Sequence, residues 1–167
     1  GVSLSRPDLH TFVFIGDGDA FSIGGNHFIH AARRNVKMTV VVMDNCVYGL
    51  TKKQTSPTSP LGFKSKTDVW GAIDRPLNPL KVAISSGATF VARSTHSNPN
   101  HLMQMLEAAM DHDGFGFIEC LSECVEFYPG AFDASNPRKG GVFNLVPQTH
   151  NVEDEVGACC LSLAFGS

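Results

Sequence analysis

The sequence predicts an α/β fold, a parallel twisted sheet with helices on both faces. Three observations carry that prediction. Short β-rich runs alternate with stretches of helical periodicity along the chain. The run Met-Thr-Val-Val-Val-Met at 38–43 is almost continuously apolar, as a central parallel strand requires. Polar turns with glycine, aspartate, asparagine or cysteine follow three of the runs, at 16–19, 44–47 and 122–124. Ligands of open parallel sheets sit beyond such strand ends.

Taken in order, His-Thr-Phe-Val-Phe-Ile at 10–15 reads as a buried strand ending at Gly16. Residues 26–34 place Phe28, Ile29, Ala31 and Ala32 on one helical face. The strand at 38–43 ends at Asp44-Asn45. Residues 48–79 are rich in Thr, Ser, Pro, Lys and Gly. A structureless loop of that length inside a compact fold is uncommon and usually functional. A short helix at 78–86 is closed by Gly87, and 89–92 is a short strand. Asn98-Pro99 reads as an N-cap followed by proline at the first helical position. That helix runs to Asp111 with Leu102, Met105, Leu106 and Ala109 inward. Residues 115–121 are another strand and 122–150 are irregular. Asn151 caps a last helix within 151–165. The length, 167 residues, is that of one ordinary domain, so 1–167 is expected to be one.

A formal net charge of -3 argues against a basic face for nucleic acid. No apolar run approaches the roughly 20 residues of a membrane helix. Residues 1–5 lack a signal-peptide pattern, and cytoplasm is the expected location. The cysteines are Cys46, Cys120, Cys124, Cys159 and Cys160. Their number is odd and none has Cys-x-x-Cys spacing. They read as free thiols, chiefly small buried groups, or as contributors to a shared metal site.

Gly16-Asp17-Gly18-Asp19 follows a strand and precedes a helix, so its backbone can approach an anion closely. A dinucleotide fingerprint would need a third glycine where Phe21 stands, and the Gly-Lys-Ser/Thr of a Walker loop is absent. An aspartate beside a diphosphate is repulsive unless a cation lies between them. Magnesium, which takes oxygen ligands and joins protein carboxylates to phosphates, suits that place. Asp17 is one candidate ligand. Asn45, one helix and one strand later, is a second, and the carbonyl of Val47 a third. The plainer alternative is a tight turn with solvated aspartates.

Gly16-Asp17-Gly18 with Asn45 resembles the thiamine-diphosphate motif. The longer strings at 16–35 and 48–59 are more specific, and they resemble the β subunit of 2-oxoacid:ferredoxin oxidoreductases, nearest to the 2-oxoglutarate type. The likeness continues through 62–66, 87–93 and 117–119, and more weakly to Cys124. It implies the thiamine-diphosphate-binding fold of the diphosphate domain. It also implies Asp17, Asn45 and Val47 as magnesium ligands. Gly16, Gly18, Asp19 and Ala20 would lie around the diphosphate, with Gly49, Leu50 and Thr51 beside the cofactor. Asp44 departs from the family, which usually has asparagine or a similar residue there.

The same resemblance makes the chain part of an enzyme that oxidatively decarboxylates a 2-oxoacid to acyl-CoA and CO2 and reduces ferredoxin. The alternatives are a non-oxidative thiamine-dependent decarboxylase or carboligase, and a non-catalytic assembly subunit. Lys52 and Gln54 would border the substrate, as would His27 and His30; solvated lysines and hydrogen-bonded structural histidines are the plainer readings. Cys124 would supply one thiolate of a [4Fe–4S] cluster. Such a cluster needs four ligands, so the others would have to come from outside these residues. The glutamate that activates the cofactor is expected on an α subunit with a pyrimidine-binding domain. This chain is therefore expected to be inactive alone. Ferredoxin, coenzyme A and the 2-oxoacid complete the expected partners.

Overall fold

The computed structural model describes residues 1–146 and 149–164. Position 165, the expected end of the last helix, and positions 147–148 of the irregular segment lie outside the described residues.

Four strands form one parallel sheet: β1 Phe12–Gly16, β2 Met38–Asp44, β3 Phe90–Thr95 and β4 Phe115–Leu121. Their order is β1-β2-β4-β3. The helices are α1 Val2–Ser5, α2 Gly25–Arg33, α3 Pro79–Ser85, α4 Pro99–Asp111 and α5 Glu155–Ala164. The chain advances across the sheet through α2 and α3, then returns through α4 to insert β4 between β2 and β3. Crossovers of one hand then put α4 on the opposite face from α2 and α3.

The packing follows that rule. On one face Phe28 and Ala32 of α2 and Leu80 and Ala83 of α3 cover Val40, Val42, Phe115 and Phe117. Phe28 meets Phe117 edge-to-face at 5.3 Å, and Phe21 meets Phe28 at 5.4 Å. Such offset ring pairs suit the quadrupole of the aromatic face. On the other face Leu102, Met105, Leu106 and Ala109 of α4 cover Val41 and Ile118. Every residue of β4 is buried, as expected for a central strand.

Position in the sheet corrects the reading of the first strand. β1 is an edge strand, and Phe14 is 62% exposed. Ile29, expected on the inner face of α2, is also exposed. An unpredicted π-helical turn, Asp19–Ile23, precedes α2, closed by the Gly24 N–H donating to the Asp19 carbonyl at 2.7 Å. A Cβ on Gly24 would lie 2.4 Å from that carbonyl oxygen, so glycine is required there. α1 was not anticipated, and β3 extends three residues past its expected end to Thr95.

Asn78 and Asn98 cap α3 and α4, accepting from the N–H groups of Lys81 and His101. The last helix begins at Glu155 rather than in the Asn151 turn. Asp154 accepts from the Gly157 N–H at 2.9 Å and takes the capping place assigned to Asn151. Among the described residues of 122–150, two 3-10 turns occur, Asp133–Ser135 and Pro137–Lys139. At the opposite end of the sheet, Asn35 adopts a left-handed conformation (φ 49°). Its Oδ1 accepts from the Phe115 N–H and the Thr89 hydroxyl, joining the end of α2 to the start of β4.

In the parallel register Gly16 lies beside Met43, and Asp44 beside Leu121. The three polar turns therefore leave adjacent strands along one rim.

Candidate functional site

Asp17 leaves β1 directly into the sheet rim and is 2% exposed. Its Oδ2 accepts from the hydroxyls of Ser56 at 2.5 Å and Thr58 at 2.7 Å. Its Oδ1 faces the backbone N–H of Asn45 at a long 3.4 Å. Asn45 Oδ1 accepts from the Val47 N–H at 3.2 Å, which folds 45–47 into a tight turn. Cys46, between them, has a positive φ of 57°. Ser59 donates to the Cys46 carbonyl at 2.6 Å and fastens this turn to the long loop.

The two rim turns also touch each other. The Tyr48 hydroxyl donates to the Gly18 carbonyl at 2.7 Å. A Cβ on Gly18 would lie 2.4 Å from ring carbons of Tyr48, whereas above Gly16 nothing comes within 4 Å. Gly18 is thus filled by a ring, and Gly16 stays open. Ala20 is buried, and Asp19 is exposed. Gly49 lies beside Cys124, whose sulfur would be 3.6 Å from an added Cβ. The turn at 48–54 is closed by pairing of Tyr48 with Gln54 and holds Lys52 and Lys53 at positive φ. Leu50, Thr51 and Lys52 stand exposed on it.

Three buried acids meet here: Asp17, Asp44 and Glu119. Arg93 pairs with Glu119 at 2.5 Å. Burial, and then the neighbouring charge of Asp44, push the Asp17 carboxyl above its ordinary range; hydrogen bonds from Ser56, Thr58 and Asn45 oppose that. Burial, and then the charge and hydrogen bond of Glu119, push Asp44 up to about 7. Thr58 Oγ1 contacts both Asp17 Oδ2 and Asp44 Oδ1, the latter at 3.0 Å. That one hydroxyl bridges the two acids, and Asp44 Oδ1 also accepts from the Cys46 N–H at 3.0 Å.

The donor set is of the kind that magnesium takes. Asp17 is a buried carboxylate without an ion pair among the described residues, and its neighbour is another acid. A cation at Oδ1 would remove that penalty. The side-chain oxygens at hand, from Asp17 and Asn45, are the hard donors magnesium takes. Among the described residues no group of three or more His, Cys, Asp or Glu forms a metal cluster.

A sequence model of the family described as "Thiamine pyrophosphate enzyme, C-terminal TPP binding domain" matches residues 1–120. The chain belongs to this family. The TPP-binding domain is 42% identical, over 99% of its length, to the 2-oxoglutarate oxidoreductase subunit KorB of Mycobacterium tuberculosis, covering 45% of that protein. It is 46% identical over 74% of its length to the 2-oxoacid:ferredoxin oxidoreductase subunit beta of Saccharolobus solfataricus, covering 41% of it. A chain of the 2-oxoglutarate:ferredoxin oxidoreductase from Magnetococcus marinus, solved with 2-oxoglutarate, coenzyme A and succinyl-CoA bound, superposes with a TM-score of 0.88 at 37% identity. The match covers 98% of the TPP-binding domain and 55% of that chain. The chain spans about half the length of the curated relatives it matches.

Other expected residues stand apart from the Asp17 cluster. His27 is exposed on α2, and His30 is half-buried with Nδ1 unpartnered. Neither joins the hydrogen bonds of the cluster among the described residues. Gln54 is engaged through its backbone with Tyr48. Cys124 is a free thiol that packs with Val47, Phe63 and Tyr128. Of the glutamates, Glu119 is held by Arg93, and Glu123 accepts from the Gly130 N–H and Lys139. The residues that sequence reasoning left without a role are Tyr48, Ser56, Thr58 and Ser59. The run Thr-Ser-Pro-Thr-Ser at 55–59 was the available signal, since four hydroxyls on a proline-stiffened loop suit a carboxylate.

Proposed function

We propose that this chain is the thiamine-diphosphate- and magnesium-binding part of the β subunit of a 2-oxoglutarate:ferredoxin oxidoreductase. The observation that carries the reading is the buried Asp17 carboxylate, with one oxygen turned toward Asn45 beside the open backbone at Gly16. The names of the relatives from Mycobacterium tuberculosis and Magnetococcus marinus support the substrate.

Asp17, Asn45 and the Val47 carbonyl would hold the magnesium. Gly16, Gly18, Asp19 and Ala20 would cradle the diphosphate, and Gly49, Leu50 and Thr51 would border the cofactor. Thiamine diphosphate supplies the carbanion chemistry needed to lose CO2 from a 2-oxoacid. This chain's own part is to bind and orient. The π-helical turn follows directly on Asp17-Gly18, the Tyr48 ring backs Gly18, and the hydroxyl loop holds Asp17. Lys52 and Gln54 lie on the turn that would meet an acidic substrate tail, with His27 and His30 as further candidates. An α subunit would bring the pyrimidine half and the activating glutamate. Coenzyme A would accept the acyl group, and ferredoxin the electrons. Cys124 would contribute one thiolate of a [4Fe–4S] cluster completed by cysteines outside these residues.

Calorimetric titration with thiamine diphosphate, with magnesium and with a chelator, tests the site. Binding that survives both chelation and Asp17→Ala would remove the metal bridge. Ferredoxin reduction by the assembled complex, with 2-oxoglutarate compared against pyruvate, tests the substrate.

A further inference from the structure

Asp17 is held in an asymmetric way. Two hydroxyls, from Ser56 at 2.5 Å and Thr58 at 2.7 Å, both reach Oδ2. A carboxylate oxygen offers about two lone-pair sites, so these contacts saturate it. The other oxygen, Oδ1, has only the long 3.4 Å approach of the Asn45 N–H among the described contacts. Ser56 and Thr58 are themselves buried and locked. The Ser56 N–H donates to Ser59 Oγ at 2.9 Å, and Ser59 donates onward to the Cys46 carbonyl. The hydroxyl loop thus grips Asp17 on one side and the 45–47 turn on the other.

We infer that Ser56 and Thr58 are positioning residues that make Asp17 a one-oxygen ligand and so set the site's preference for magnesium over calcium. The inference rests on the magnesium–diphosphate reading of this site. Calcium accepts six to eight oxygens and readily takes both oxygens of a carboxylate. Magnesium demands near-octahedral geometry at shorter distances and takes one oxygen from each. Occupying Oδ2 removes the bidentate option and fixes the carboxylate plane. Freeing Oδ2 lets Asp17 turn and chelate the larger ion.

The test is calorimetric titration of thiamine diphosphate into the full-length protein assembled with its partner subunit, with magnesium or calcium as the only divalent ion. In Ser56→Ala/Thr58→Val the magnesium-supported affinity is expected to fall about 10- to 100-fold, the range for residues that orient a metal ligand. The calcium-supported affinity should fall much less. The hydroxyl-retaining pair Ser56→Thr/Thr58→Ser should keep the wild-type magnesium-to-calcium ratio. Thermal melting verifies folding; if the double variant does not fold, Ser56→Ala alone is read the same way. An equal loss with both ions, or no loss, overturns the inference while leaving the site intact. A wild-type protein that binds equally well without any divalent ion, or an Asp17→Asn variant that binds as wild type does, overturns the underlying site reading instead.

Discussion

The Tyr48 hydroxyl donates to the Gly18 carbonyl at 2.7 Å, and the Tyr48 ring occupies the space a Gly18 side chain would need. Two turns that are 30 positions apart in the chain are thereby one surface. Tyr48→Phe keeps the ring and loses the hydrogen bond, at about 1 kcal/mol. Gly18→Ala forces a methyl group into the ring, and overpacking of this kind costs about 1–3 kcal/mol. Urea denaturation should therefore rank Gly18→Ala below Tyr48→Phe. Cofactor binding should fall in the same order.

Arg93, half-buried, pairs with the buried Glu119, their side chains 12% and 1% exposed. Arg93→Met leaves the Glu119 charge uncompensated beside Asp44. Breaking such a pair from one side costs about 3–5 kcal/mol. The double change Arg93→Met/Glu119→Gln should recover much of that loss. A double-mutant cycle by chemical denaturation measures it.

Asp44 gives the site a pH signature. Its folded pKa, about 7, lies above the ordinary 3.8, so the folded state keeps a proton that the unfolded chain releases. The stabilisation is present below pH 3.8 and is lost as pH rises to about 7. Asp17 is shifted in the same direction and adds to the trend. In chelator, the melting temperature of the wild type should fall between pH 5 and pH 8. Asp44→Asn should flatten that slope and melt higher than the wild type at pH 8. Saturating magnesium and cofactor should shrink the slope, because a cation favours ionised Asp17.

Phe117 lies in the cluster that supports the π-helical turn, with Phe21 at 6.3 Å and Phe28 at 5.3 Å. Phe117→Ala should cost about 3–5 kcal/mol through the lost burial and the cavity left behind. Phe21 carries this packing into the rim, so Phe21→Ala should weaken cofactor binding as well as stability. Equal cofactor affinity in Phe21→Ala and wild type, at a temperature where both are folded, would separate the core from the site.

The alternation of strand and helix, the central strand at 38–43, the asparagine cap at 98 and the strand at 115–121 could all be read from the sequence. They are governed by local periodicity and capping chemistry, which act within a few residues. Gly16-Asp17-Gly18 and Asn45 could be read as well, because glycine and carboxylate at a strand end are a chemical combination with few uses, and long strings around them resemble one family. Tertiary structure alone decided that β1 lies at the edge, because pairing order depends on how crossovers pack rather than on any strand's composition. It alone brought Ser56 and Thr58 back across 39 and 41 positions to one oxygen of Asp17. It likewise placed Asp44 between two other acids. A carboxylate's partners and its proton are set by what surrounds it in space. A sequence shows that Asp17 is present, but the long loop folding beneath it determines which of its oxygens is free.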